Sequence, residues 1–139
     1  MPVPAEYERA SDQFYKLLVD ARDSAGLGST HQAYTMVQGV LRVFRRRLDT
    51  RESIRFAATL PPLVRALFVI DWEVDEPRRG FEDRADMTRE VQSLRAAHNF
   101  APDTAIKDVA RSLRGYVDEA EFDRILATLP DGAIEFWET

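Results

Sequence analysis

Apolar residues recur along most of the chain at steps of three and four, the spacing that lines one face of an α-helix. The first series is Phe14, Leu17, Leu18, Ala21 and Ala25, and it predicts a helix over 5–25. Gly26 and Gly28 end that helix, because glycine takes the left-handed C-cap conformation without a Cβ clash. A second helix starts at Ser29 or Thr30 as N-cap and carries Ala33, Val37, Val40, Leu41, Phe44 and Leu48 on one face. Asp49-Thr50-Arg51-Glu52 then has capping-box spacing, the aspartate accepting from the Glu52 N–H and the glutamate reaching back to the cap. The third helix closes near Leu60, since the residue before a proline is pushed out of helical geometry. Pro61 suits the first turn of a short fourth helix. No segment alternates apolar and polar residues for more than a few positions, so the chain reads as all-α.

The same pattern then returns. Thr59-Leu60-Pro61 and Thr128-Leu129-Pro130 stand 69 residues apart. That offset pairs Val37 with Ile106, Val40 with Val109, Phe44 with Leu113, Asp49 with Asp118 and Glu52 with Glu121. Further on it pairs Leu67 with Phe136 and Phe68 with Trp137. Before Thr35 the offset becomes 73, matching Phe14 with Met87 and Leu18 with Val91, a four-residue insertion near Gly28. A second set of helices is therefore expected over 81–98, 102–116, 119–128 and 130–137, with the capping box repeated at Asp118 and Glu121. The expected architecture is a helical bundle built from two similar four-helix units with pseudo-two-fold symmetry. It forms a single domain over 1–139, with repeats 5–69 and 81–138 joined by a charged, proline-containing linker, 70–80. Phe14, Val40, Phe44, Leu60, Val109, Leu113 and Leu129 are the expected core.

Composition narrows the class. The 139 residues are 45% apolar and hold no cysteine, which removes disulfide and thiolate chemistry. No apolar run approaches the ~20 residues of a membrane span, and the opening residues lack a signal-peptide pattern. A cytoplasmic chain without membrane contact is the expectation. Charge is uneven: residues 1–69 hold ten Lys/Arg against seven Asp/Glu, and residues 70–139 hold nine against seventeen.

Candidate chemistry is sparse. His31 and His98 have no ligand at metal-binding spacing, so no metal and no cofactor is expected. Glu52 and Glu121 could be imagined as a carboxylate pair, but their position three residues after an aspartate explains them as caps. Neither a nucleophile elbow nor a phosphate-binding glycine loop is present, and no catalytic residue is assigned. The strongest feature is the run Arg45-Arg46-Arg47. With Arg42, it places Arg42, Arg45 and Arg46 on one helix face, suited to an anion or an acidic protein surface. The plainer reading is a solvated helix end whose cations offset the dipole. The net charge of -5 disfavours nucleic acid. Arg42, Arg45, Arg46 and Arg47 are the candidate binding residues. Trp72, in the acidic linker, is the aromatic least explained by a core.

The duplicated pattern resembles a bacterial family, domain of unknown function 2267. Its elements are matched here by Phe14, Val40-Leu41, Arg46-Arg47-Leu48, Glu52 and Leu60-Pro61, and again by Val109, Leu113, Val117, Glu121 and Leu129-Pro130. Gly115-Tyr116 departs from the pattern of Arg46-Arg47. The resemblance implies an all-helical bacterial protein, and it brings no catalytic residues across.

The functional expectation is a non-enzymatic helical interaction or scaffold module that meets a protein partner or a second copy of itself. The charge asymmetry suggests contact through the Arg42, Arg45 and Arg46 face, which Arg45→Glu with Arg46→Glu should abolish without loss of helix. The alternative is a small-molecule or anion-binding protein that uses the groove between the two repeats.

Overall fold

In the computed structural model, which describes residues 3–139, every regular element is helical. The order is α1 (Ala5–Glu8), α2 (Ala10–Ala25), α3 (Thr30–Arg45), α4 (Thr50–Ala57), α5 (Pro62–Val69), α6 (Arg84–Ser93), α7 (Ala105–Arg114), α8 (Glu119–Leu126) and α9 (Ala133–Phe136). A single 3-10 turn, Ala96–His98, lies between α6 and α7.

The helix ends show why these residues make these elements. Gly26 closes α2 at φ 68°, and Ser29 opens α3 by accepting from the Gln32 N–H at 3.2 Å. At α4 the capping box closes both ways: Glu52 N–H donates to Asp49 Oδ1 and Asp49 N–H to Glu52 Oε1, each at 2.8 Å. At α8 only half of it forms. Glu121 N–H donates to Asp118 at 3.1 Å, while the Glu121 side chain points to solvent.

Three of the boundaries that differ from the sequence reading have a visible cause. The first helix is interrupted at Arg9, where φ -97° and ψ 2° leave the helical region and separate α1 from α2. The fifth helix stops at Ser93 instead of running to His98. Asn99 Nδ2 donates to the carbonyls of Val91 and Leu94 at 2.8 Å each, and these side-chain bonds cap the end of α6. Pro130 precedes α9 rather than opening it, since Gly132, at φ 103°, is the N-cap.

α3 is the centre of the molecule and lies against α2, α5, α6 and α7. α2 also packs on α7, and α4 packs on α8. One apolar core therefore draws on both halves of the chain. Phe44 sits in its middle, with ring centroids 4.6 Å from Phe56, 4.9 Å from Phe136 and 5.3 Å from Trp137. Val40, Phe44, Leu60, Val109, Leu113 and Leu129 are buried as expected, and Phe14 is half-buried, edge-on to Tyr34.

Several bonds recur 69 residues apart. Arg45 Nη1 donates to the Phe68 carbonyl at 2.8 Å, and Arg114 Nε donates to the Trp137 carbonyl at 2.9 Å. Thr59 Oγ1 donates to Phe56 O and Thr128 Oγ1 to Ile125 O, both at 2.7 Å. The bounds of α4 and α8 differ by the same offset at each end.

Candidate functional site

The arginine run falls where α3 ends, and the structure turns most of it inward. Arg45 is buried, donating to Phe68 O at 2.8 Å and Ile70 O at 3.1 Å, so it caps the end of α5. Burial, then the neighbouring Arg42 charge, holds its pKa below the usual guanidinium value. Arg47 has no exposed side-chain surface. It donates to Val43 O at 2.8 Å, to Glu90 at 2.7 and 3.3 Å, and to Glu82 at 3.2 Å. Arg46 donates to Glu90 at 3.1 Å, and its Nε lies 3.1 Å from Glu76 without hydrogen-bond alignment. Arg42 is partly exposed, 3.5 Å from Asp71. The reading of a solvated cationic face is thus corrected at Arg45 and Arg47. α6 and the segment before it supply carboxylates that the one-dimensional pattern places far away.

Glu90 is the hub of this cluster, receiving Arg46, Arg47 and, at 3.3 Å, Arg79. Burial pushes its carboxyl up, but hydrogen bonds from Arg47 and Arg46 outweigh burial and hold it below the ordinary glutamate value. Three guanidiniums (Arg46, Arg47, Arg79) meet three carboxylates (Glu76, Glu82, Glu90), so the cluster is neutral within itself.

The segment 70–80, expected to be a linker, is a strap across this helix end. Arg79 N–H donates to Arg46 O at 3.0 Å, and Arg78 approaches Glu52 at 3.8 Å. The Arg45 guanidinium lies 5.7 Å from the Trp72 ring centroid, which explains that tryptophan. The unequal charge of the two halves was the sequence signal for this arrangement. A cleft of about 200 Å³ under the strap is lined by Arg45, Arg46 and Arg78 but also by Glu73 and Glu76. Both signs share its walls, so it presents no concentrated positive field to an anion.

Elsewhere His31 is exposed and stacks on Tyr34, and His98 is exposed in the 3-10 turn. Among the described residues no three His, Asp or Glu side chains are grouped closely enough to hold a metal ion. A polar cleft of about 440 Å³ separates α1 and α2 from Tyr116, and this one does lie between the halves. Tyr116 donates to Asp20 Oδ2 at 2.6 Å. Burial and the Asp20 carboxylate push its phenol up to about 12, so it remains a donor near neutral pH.

The wider concavity, about 660 Å³, lies between α4 and α5 within the first half. Pro61 and Pro62 turn the chain sharply, and Arg65 clamps the turn by donating to Ala57 O at 3.3 Å and Leu60 O at 2.9 Å. Ala57, Ala58 and Ala66 leave the space between the helices unfilled, and Ile54, Pro62, Val69 and Trp72 wall it. Ser53 Oγ, wholly buried beside the groove, has no hydrogen-bond partner. Sequence reasoning missed this groove. Its signal was Ile54 and Val69, apolar yet off the core-facing phase of their helices. The groove can bury apolar side chains, and it assembles no nucleophile with a base.

No curated protein matches the chain. A family profile described as "Uncharacterized conserved protein (DUF2267)" matches residues 14–136, from within α2 through the last residue of α9. With nearly the whole fold inside that match, the chain belongs to the DUF2267 family.

Proposed function

We propose that this chain is a non-enzymatic helical interaction module that holds a protein partner through the groove between α4 and α5. The observation that carries this is the groove itself: an apolar concavity of about 660 Å³ whose walls, Ile54 and Val69, are both exposed. Contiguous exposed apolar surface of this kind marks contact sites on soluble proteins. The arginine run supports the choice by exclusion, because Arg45, Arg46 and Arg47 are engaged by carbonyls and carboxylates of the chain itself. The test is capture from a lysate by immobilised full-length chain, read by mass spectrometry. The wild type is expected to retain a defined set of proteins that Ile54→Glu loses and the exposed control Arg89→Glu keeps. Capture indifferent to Ile54→Glu would overturn the reading.

A second reading is a small-ligand site, favoured by the unpartnered Ser53 hydroxyl beside a concavity within the usual ~300–1,000 Å³ of ligand pockets. The polar cleft at Tyr116 is the corresponding candidate between the two halves. Thermal-shift screening against metabolites and anions tests both, since a ligand of the folded state raises the midpoint.

The proposal extends to the architecture, two four-helix units related by a pseudo-two-fold axis. Exchange of the halves maps the packing of α2 on α7 onto that of α6 on α3, and maps α3 with α7 and α4 with α8 onto themselves. The bonds recurring at 69 residues support the same symmetry. A bacterial, cytoplasmic setting belongs to the proposal as well, supported by the cysteine-free composition and by seventeen arginines against two lysines.

A further inference from the structure

We infer that the partner of the α4–α5 surface is a second copy of this chain, held across a two-fold axis. The inference rests on the interaction-module reading above and names its partner.

The apolar surface extends beyond the groove. Ile54 on α4 is 61% exposed, Val69 at the end of α5 is 41% exposed, and Val74 on the strap is 60% exposed. Trp72 lines both the groove and the cleft under the strap, where Val74 also stands, so these residues form one strip. Exposed charge of both signs borders it. Ile54 is flanked on α4 by Arg51 and Arg55, both exposed. Among the described residues Arg51 makes no ion pair, and Arg55 reaches only the Thr128 carbonyl at 3.5 Å. Val74 is flanked by Glu73 and Asp75, exposed and without a cation among the described residues.

A two-fold contact brings the same patch of each copy together, so it needs a patch complementary to itself. This strip has that property. The arrangement sets Ile54, Arg51 and Arg55 of one copy against Val74, Glu73 and Asp75 of the other, and does so twice. The net charge of -5 opposes approach only weakly, because charges farther apart than about 8 Å are screened at physiological salt while contact pairs persist. A foreign partner would have to bring both complements, whereas a second copy already has them.

Sedimentation equilibrium of the full chain, from about 1 μM to about 1 mM to cover affinities in that range, reads the outcome. The wild type is expected to form a reversible dimer. Arg51→Glu with Arg55→Glu is expected to raise the dissociation constant at least about tenfold, as is Glu73→Arg with Asp75→Arg. Far-UV circular dichroism should be unchanged for both, since every substituted side chain is exposed. An equimolar mixture of the two variants should restore the dimer, because one strip is then wholly acidic and the other wholly basic. A wild type that stays monomeric at the highest concentration, or a dimer indifferent to both reversals and to Ile54→Glu, overturns the inference. A fluorescein-labelled acidic amphipathic helix peptide, followed by polarisation, separates that failure from failure of the parent reading. Peptide binding by a monomeric wild type, lost in Ile54→Glu, overturns the second copy and leaves the interaction module standing. Loss of both, with lysate capture indifferent to Ile54→Glu, overturns the two together.

Discussion

Arg47 and Glu90 show how far a single side chain's role depends on what folds onto it. Arg47 is held by four hydrogen bonds in a site with no exposed side-chain surface. Truncation would leave Glu90 and Glu82 short of a cation, so Arg47→Ala is expected to cost about 3–5 kcal/mol, read from urea unfolding. The substitutions Arg45→Glu and Arg46→Glu, surface changes on the sequence reading, belong to the same class. They place carboxylates against the Phe68 and Ile70 carbonyls and against Glu90, and should lower helical content instead of removing a partner. Glu90 also sets a pH dependence. Its folded-state carboxyl titrates below the unfolded value of about 4.3, so its contribution to stability is complete above that value. The contribution is lost as pH falls through the depressed folded value. Glu90→Gln is expected to lower stability near neutral pH and to flatten the acid limb of a urea-midpoint profile. An acid limb unchanged by that substitution would assign it to other carboxylates.

At the level of elements, two identical signals had different outcomes. Asp-x-x-Glu opens both α4 and α8, yet only the first glutamate returns to its cap. The backbone at the cap differs, ψ 176° at Asp49 against 105° at Asp118, and this turns the cap N–H differently relative to the helix. Glu52→Ala is therefore expected to cost about 1 kcal/mol. Glu121→Ala should stay within the ~0.5 kcal/mol of an ordinary surface change, so equal losses in chemical denaturation would refute the asymmetry. Gly132 carries the entry to α9. At φ 103° a Cβ there would lie 2.5 Å from Phe81 Cβ, so strain and collision act together. Gly132→Ala should cost about 2 kcal/mol or more and loosen Phe81 from the core, with a lower thermal midpoint as the readout. The sequence reading did not single out this glycine, because nothing local says that Phe81 lies over it.

For the whole molecule, the consequence lies in the interleaving of the halves. α2 and α3 pack on α7, α3 packs on α6, and Phe44 and Phe56 of the first half share a cluster with Phe122, Phe136 and Trp137 of the second. Neither half keeps a closed core by itself. Residues 1–69 and 70–139 expressed separately should show weak helical signal without a cooperative melt, whereas the intact chain melts in one transition. Mixing the two fragments should recover helix. Independent cooperative folding of either fragment would refute the interleaving.

The order of helices, most of the apolar residues that fill the core and the full box at Asp49 and Glu52 were legible in the chain, because period and capping are local. A residue three or four positions away is the neighbour on the same helix face, whatever the rest of the molecule does. The early end of α6, the fate of the arginines, the work of the strap and the groove at Ile54 were not. Asn99, Glu90, Glu82 and Glu76 act on residues dozens of positions away or across a turn, and a burial pattern does not say which carboxylate arrives. Only the tertiary structure decided that Arg45 and Arg47 face inward and Ile54 and Val74 face out, because charge is tolerated inside when partners surround it and apolar surface stays outside when no helix covers it.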